Sequence, residues 1–392
     1  MNSKSPIDVA FLFFTDGKDW NGGKSYYRAL FDALNADPDC QIHVMAFVGL
    51  RTDSIGFDFP RSVTFVRSSA LDRGSPAWFV DRICKRLFGR TLFLRHALTQ
   101  ARVKLVSHCD PSDSAGFPSI AWIPDFQHLH LPHFFKSAEL AQRNASFKEM
   151  LGRSDLVIVS SHAARGDLER FSPENANKAR VLQFCAVRQE ISGEEDDIVS
   201  LYGLSERFFY LPNQLWAHKN HRLAVEALAL VRERWPSAQI VCSGALSDYR
   251  NPAHIEALRG RIIELGLQDN FKLLGLIPYK HIAKLIVQSA AVINPSFFEG
   301  WSTTVEESKA LGAPLLLSDL PVHREQCSAG EALFYSPDDS ETLASCMANV
   351  LSGEWPVAAT DRVAAALDKH RIRTLVFSST YQSIVNELAP HG

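Results

Sequence analysis

Thirteen short, unbroken apolar runs separated by helix-length stretches constrain this chain more than any other feature. In the first half they are Val9–Phe14, Ile42–Phe47, Val63–Val66, Leu105–His108, Ile120–Ile123, Leu156–Val159 and Val181–Phe184. In the second half they are Phe208–Leu211, Ile240–Ser243, Phe271–Leu274, Ala291–Ile293, Leu315–Ser318 and Leu333–Tyr335. A strand that is apolar on both faces must be covered on both sides, as inside a parallel sheet. The stretches between show helical spacing: in His221–Arg234, Leu223, Ala227, Leu230 and Val231 fall on one face. Strands alternating with helices imply right-handed crossovers, so the expected class is α/β with two doubly wound, Rossmann-like domains. The acidic stretch Ser192–Ser200 reads as the linker, and a last helical stretch, Thr374–Leu388, follows the second series. The expected division is therefore 1–191, 192–372 and a terminal helix in 373–392. A length of 392 residues fits this, since single cores stop growing well before it.

Composition excludes several function classes. A formal net charge of -3 shows no basic excess, so nucleic acid is not an expected partner. The seven cysteines are scattered with no C-x-x-C pair, which argues against a disulfide framework or a zinc site and for a reducing compartment. The opening MNSKSPIDVAFLFF is too short in apolar length for a signal peptide, and no 18-residue apolar run occurs. The expected location is cytoplasmic.

The richest chemistry lies from Asn294 to Asp319, N-P-S-F-F-E-G-W-S-T-T-V-E-E-S-K-A-L-G-A-P-L-L-L-S-D. It begins as a strand, turns at Glu299-Gly300, opens a helix at Ser302–Thr304 and closes it at Gly312. A helix start beyond the carboxyl end of a parallel strand offers free N–H groups and a positive dipole end, which suits a diphosphate. Glu299 falls in the turn and Glu307 eight residues on. One carboxylate can meet groups at a cleft floor while the other accepts from ribose-type hydroxyls. On spacing alone, two ordinary glutamates complementing the helix dipole fit as well.

This segment resembles the Glu-x7-Glu motif of retaining glycosyltransferases of glycosyltransferase family 4 (glycosyl transferases group 1), which have the GT-B fold. The match covers Glu299, Gly300, Glu307, Ala310, Leu311, Gly312, Pro314, Ser318, Asp319 and Pro321. L-P-N-Q-L-W-A-H-K-N-H (Leu211–His221) is similar to the family's donor-phosphate loop, and G-L-I-P-Y (Gly275–Tyr279) to the turn before the carboxylate strand. Trp20–Tyr27, Trp122–His128 and Ser160–Leu168 are similar to first-domain segments of a bacterial branch. Three C-terminal motifs in order are specific together. The resemblance implies parallel sheets facing across a cleft, an acceptor domain, a nucleotide-sugar donor domain, and a C-terminal helix crossing back with Tyr381 and Leu388 on the first domain.

The resemblance also implies roles. Lys219 contacts the donor diphosphate, and the family's usual arginine is replaced by the neutral pair Asn213-Gln214. Glu307 holds the ribose and Glu299 faces the sugar. Gly300 and the N–H groups of Trp301, Ser302 and Thr303 receive phosphate or sugar. Gly244 lets the nucleotide approach, and Gly22-Gly23 form a matching loop beside the diphosphate or acceptor. Asp125 and His128, with His130 and His133 near them, are the acid–base candidates, although Pro124 stands where the family often has a His-Asp or similar pair. Front-face attack, with the leaving phosphate taking the acceptor's proton, needs no protein nucleophile.

No cofactor and no metal is expected: the aspartate clusters at 110–113, 196–197 and 338–339 read as turn residues. The expected partners are a UDP- or GDP-linked sugar and a glycan or lipid-linked acceptor, as in bacterial surface polysaccharide or glycolipid synthesis. Arg82–Lys104 interleaves seven basic residues with Ile83, Leu87, Phe88, Leu92, Phe93 and Leu94. It reads either as a dock on anionic lipid at the inner face of the cytoplasmic membrane or as an amphipathic helix packed on its own sheet. Two other classes stay open: an epimerase or phosphorylase of the same fold, and a non-catalytic sugar-binding protein.

Overall fold

The computed structural model describes residues 6–14, 21–52, 58–191, 197–328, 330–355 and 359–389. Trp20 and most of the expected linker, 192–196, lie outside the described residues. The chain divides into two compact units. The first comprises Met1–Phe126, Ala138–Val187 and Ile372–Gly392; the second comprises Gln127–Ser137 and Arg188–Arg371. The expected boundary at 191 thus falls a few residues late, since the second unit already begins at Arg188, and Gln127–Ser137 moves to the second unit.

The first unit holds β1 (Ile7–Phe13), β2 (Ile42–Val48), β3 (Thr64–Arg67), β4 (Leu105–Ser107), β5 (Ser119–Ile123), β6 (Leu156–Val159) and β7 (Ala179–Val181). They pair in the order β3-β2-β1-β4-β5-β6-β7, all parallel. The second unit holds β8 (Phe208–Leu211), β9 (Gln239–Cys242), β10 (Phe271–Leu273), β11 (Ala291–Asn294), β12 (Leu315–Ser318) and β13 (Ala332–Tyr335). Their order is β10-β9-β8-β11-β12-β13, again all parallel. In each sheet the winding reverses once, between β1 and β4 and between β8 and β11. Loops leaving the carboxyl ends of those two strands diverge to opposite faces and leave a crevice, where ligands of such folds bind.

The central strands β8, β11 and β12 are buried at every residue, which is what their unbroken apolar sequence requires. Each fully buried Leu or Ile there contributes roughly 1.5–3 kcal/mol. Helix His221–Arg234 buries Leu223, Ala224, Ala227, Leu228 and Val231 against that sheet, while Leu230, expected on the same face, is exposed. The C-terminal helix runs over Ala359–Leu388, beginning well before the expected Thr374. Its residues from Ile372 onward belong to the first unit. There Tyr381 is wholly buried and its hydroxyl donates to Ser107 Oγ at 2.8 Å, while Arg180 pairs with Glu387 at 2.6 Å. Leu388 is partly buried.

Candidate functional site

The second unit's winding reversal brings two loops together. After β11 the chain passes through Pro295–Trp301 to Ser302, whose hydroxyl caps the helix Thr303–Leu311. After β8 it reaches a short turn at Ala217–Lys219 and then Asn220, whose left-handed backbone (φ 56) leads into His221–Arg234. Because β8 and β11 are neighbours, Lys219 Nζ comes to 2.7 Å from Glu299 Oε1, both side chains largely buried. Ser296 Oγ reaches the same oxygen at 2.6 Å. Burial alone pushes the Glu299 carboxyl up. The Lys219 ammonium, with the Ser296 hydroxyl, outweighs it and holds the group at about 2.

Other residues fix this geometry, and they revise several expected roles. Asn294 is buried and donates to Ser302 Oγ at 2.8 Å. Asn213 donates to Asn294 Oδ1 at 3.4 Å and accepts from Thr304 Oγ1 at 3.2 Å. Its amide therefore braces the two loops, and the exposed Gln214 is the member of the pair left facing outward. The Ser302 N–H, expected at the phosphates, donates instead to Gln326 Oε1 at 3.1 Å, and Gln326 Nε2 returns a bond to Ser302 O at 3.0 Å. Trp301 and Thr303 flank it, and Gly300 lies partly buried in the turn between Glu299 and the cap. Gly244 has φ 139, and a Cβ there would meet Asn213 O at 2.7 Å. Glycine is needed at that position by the loop's own backbone, a nearer reason than the expected nucleotide.

Glu307 differs from Glu299. It is partly buried, accepts from the Tyr279 hydroxyl at 3.1 Å, and burial pushes its carboxyl up to about 7. Its neighbour Glu306 is the fully buried one and accepts from Gln326 Nε2 at 3.1 Å.

The segment Gln127–Ser137 packs on the same region. His130's ring lies 5.0 Å from that of Phe298, the residue before Glu299, and Phe134's lies 6.5 Å from that of His218. Arg250 sits over Phe135 at 4.5 Å and donates to Gln127 Oε1 at 3.1 Å. These ring contacts are why the segment groups with the second unit. His128 is buried in the short helix Gln127–His130. Asp125 is partly buried and belongs to the first unit. Gly22 and Gly23 also lie there, in the first turn of helix Asn21–Ala36 and not in a loop; a helix's first turn still has N–H groups without intrahelical partners.

His323 and Arg250 lie outside the motifs read from the sequence, and His218, though inside Leu211–His221, is not singled out there. His323 is wholly buried, with Nδ1 at 2.7 Å from Ser318 O and Nε2 without a partner. Burial lowers its pKa, so it is neutral with Nδ1–H donated and Nε2 left as an acceptor. His218 is held neutral too, burial and then Lys219 lowering it to about 3. Asp248, accepting from the N–H groups of Ala217 at 2.8 Å and Arg250 at 2.9 Å, ties their loops together.

Residues 194–366 match the family described as glycosyl transferases group 1. A stretch of 148 residues is 26% identical to the O-antigen chain mannosyltransferase RfbU of Salmonella typhimurium, covering 37% of this chain and 38% of that protein. The match thus spans well under half of the relative's length. Among solved structures, sucrose-phosphate synthase from Thermosynechococcus elongatus aligns with a TM-score of 0.68 at 17% identity, over 97% of this chain and 99% of that one. HepE of Anabaena in complex with UDP-glucose aligns with a TM-score of 0.67 at 18% identity, over 98% and 100%. At such identities the likeness is one of fold, and that fold is GT-B.

Proposed function

We propose that this chain, whose residues 194–366 match the glycosyl transferases group 1 family and which has the GT-B fold, is a retaining, metal-independent hexosyltransferase using a nucleotide diphosphate sugar. The observation that carries the reading is the buried Lys219–Glu299 pair, 2.7 Å apart at the winding reversal of the second sheet. A donor diphosphate gathers charge as the glycosidic bond breaks, and an ammonium held ready in a low-dielectric crevice stabilises that charge without reorganising. Glu299, ionised at neutral pH, faces the transferred sugar; Glu307 accepts from the ribose hydroxyls. Gln214, Gly300 and the Thr303 N–H line the diphosphate. The C1–O bond to phosphate breaks, the acceptor oxygen bonds C1 from the same face, and the acceptor's proton passes to the departing phosphate oxygen. Asp125 and His128 are the acid–base candidates, and no protein nucleophile takes part.

HepE holds UDP-glucose, which favours a UDP-linked donor over a GDP-linked one. RfbU is an O-antigen chain mannosyltransferase, which favours a glycan or lipid-linked acceptor in surface polysaccharide synthesis. The test begins with thermal unfolding against UDP, GDP and their sugars. Ligand at a hundredfold excess over its Kd stabilises by about 2.7 kcal/mol, so the right donor stands out. The anomer formed is then read by NMR in the presence of EDTA. A product of inverted configuration sinks retention, and loss of turnover restored by Mg²⁺ sinks metal independence. If no nucleotide sugar stabilises the protein, the donor site lies elsewhere.

A further inference from the structure

Between Arg73 and Lys104 the chain has eight basic residues and one acidic residue, Asp81, in a protein of net charge -3. The segment forms two helices, Pro76–Phe88 and Phe93–Gln100, with Gly89 (φ 65) ending the first. Asp81 is buried, and its carboxylate accepts from the N–H groups of Leu92 at 2.7 Å, Phe93 at 2.8 Å and Leu94 at 2.9 Å. It caps the second helix and fixes the corner rigidly. The one negative charge of the segment is therefore turned inward and spent.

A helix packed on its own sheet buries its apolar stripe and shows polar residues to water. This one does the reverse. Its inner face is Ala77 and Asp81, while Phe79, Ile83 and Leu87, at i, i+4 and i+8, are 52%, 57% and 67% exposed. The corner adds Phe88 at 71%, Leu92 at 57% and Phe93 at 46%. Arg82 and Arg86 flank the stripe and Arg90 stands at the corner, all exposed. Arg86 and Arg90 have no acidic partner among the described residues. Soluble monomers rarely show so many large apolar side chains together without a partner for them.

We infer that this face, Phe79 to Phe93 with Arg82, Arg86 and Arg90, docks on an anionic lipid bilayer. Apolar side chains at the corner insert at the headgroup–acyl boundary while guanidinium groups meet lipid phosphates, the composition expected of an interfacial surface. The charge complementarity selects an anionic surface, and an apolar ridge bare of carboxylates suits lipid better than a second copy of this acidic chain. The inference does not rest on the donor reading above.

The full chain is sedimented with phosphatidylcholine vesicles, with and without phosphatidylglycerol. Binding is expected only to the anionic vesicles and falls steeply as salt rises through the physiological range. Arg86→Ala with Arg90→Ala weakens it about fivefold per arginine, and Phe88→Ser with Phe93→Ser weakens it tenfold or more at constant charge. Both variants keep the wild-type unfolding temperature, since the replaced side chains are exposed. Equal binding to neutral vesicles, or none to anionic ones, overturns the proposal. So does a dimer in sedimentation velocity that Phe88→Ser with Phe93→Ser dissociates, which would make the face a self-association surface.

Discussion

The two winding reversals of this molecule are built by the same strand order and filled in opposite ways. Between β1 and β4 the buried polar groups form a neutral chain. Tyr381 donates to Ser107 Oγ at 2.8 Å, Ser107 Oγ lies 2.8 Å from His108 Nδ1, and His108 Nε2 lies 2.7 Å from the Tyr26 hydroxyl. Trp122 stacks on Tyr26 at 4.2 Å and Phe377 is buried alongside. Burial brings His108 down to about 3 and pushes the Tyr26 hydroxyl well up. Between β8 and β11 stands the Lys219–Glu299 pair, with Glu299 at about 2. Topology supplies a crevice in both sheets; the loops decide whether it is plugged or charged. A satisfied neutral network specifies packing, whereas a buried ion pair is costly to maintain and is retained where a charged ligand can use it.

The comparison breaks most visibly at Lys219. Lys219→Met leaves Glu299 buried without its cation, a change that typically costs about 3–5 kcal/mol. Glu299 has a folded pKa below the unfolded carboxyl value of about 4.3. The stability it contributes is therefore present above that value and lost as pH falls toward about 2. Denaturant unfolding should show the variant furthest below wild type near neutral pH, with the gap closing in acid. Adding Glu299→Gln recovers most of the loss, because the orphaned charge is gone. Equal stability of Lys219→Met and wild type near neutral pH would remove the contrast between the two crevices.

A smaller effect is expected in turnover. On the role proposed for Glu299 beside the transferred sugar, Glu299→Gln should lower kcat by about one to two decades, the equivalent of roughly 1.5–3 kcal/mol. Nucleotide binding, read by titration, should change less. A glutamate that only complements the helix dipole would instead cost about 0.3–1 kcal/mol of stability and leave kinetics alone.

Glu307 sharpens the contrast inside the charged crevice. Its folded pKa is raised to about 7 by burial. Stability linked to it is fully present below the unfolded carboxyl value and lost as pH rises through about 7. Ribose hydroxyls need the ionised carboxylate as acceptor, so the donor KM should fall over that same rise. Glu307→Gln raises the KM about tenfold, removes its pH dependence and spares kcat. A pH profile identical in wild type and variant would separate Glu307 from the donor.

The sheets were legible because their strands are apolar on both faces, and each of the thirteen runs coincides with or adjoins a strand; only Val181–Phe184 sits late against β7. Ser302 and Gly312 were legible because a cap and a left-handed stop are local chemistry (Gly312 has φ 72). Gln326 was not, since its partner Ser302 lies twenty-four residues away and nothing in its neighbourhood marks it. Gly244 was read for a nucleotide when the nearer demand is the backbone at Asn213. The stripe in Pro76–Phe88 was visible as a period, but a period cannot say which way the stripe faces. That direction is set by Asp81, whose three backbone partners, Leu92, Phe93 and Leu94, stand at the start of the next helix.

The smallest effect tests the plugged crevice. Tyr381→Phe removes one buried donor and leaves Ser107 Oγ with His108 Nδ1 as its remaining partner. The expected loss is about 0.5–1.5 kcal/mol, well below that for Lys219→Met. It should not vary between about pH 5 and about pH 8, because Tyr381, whose hydroxyl burial pushes up, and Ser107 stay neutral across that range. The linkage of His108, whose contribution declines as pH falls below its unfolded value, is common to both proteins and cancels. Donor KM and kcat should match wild type. A kinetic defect approaching that of Glu299→Gln would mean that the neutral chain reaches the chemistry, and the first crevice could no longer be treated as filled.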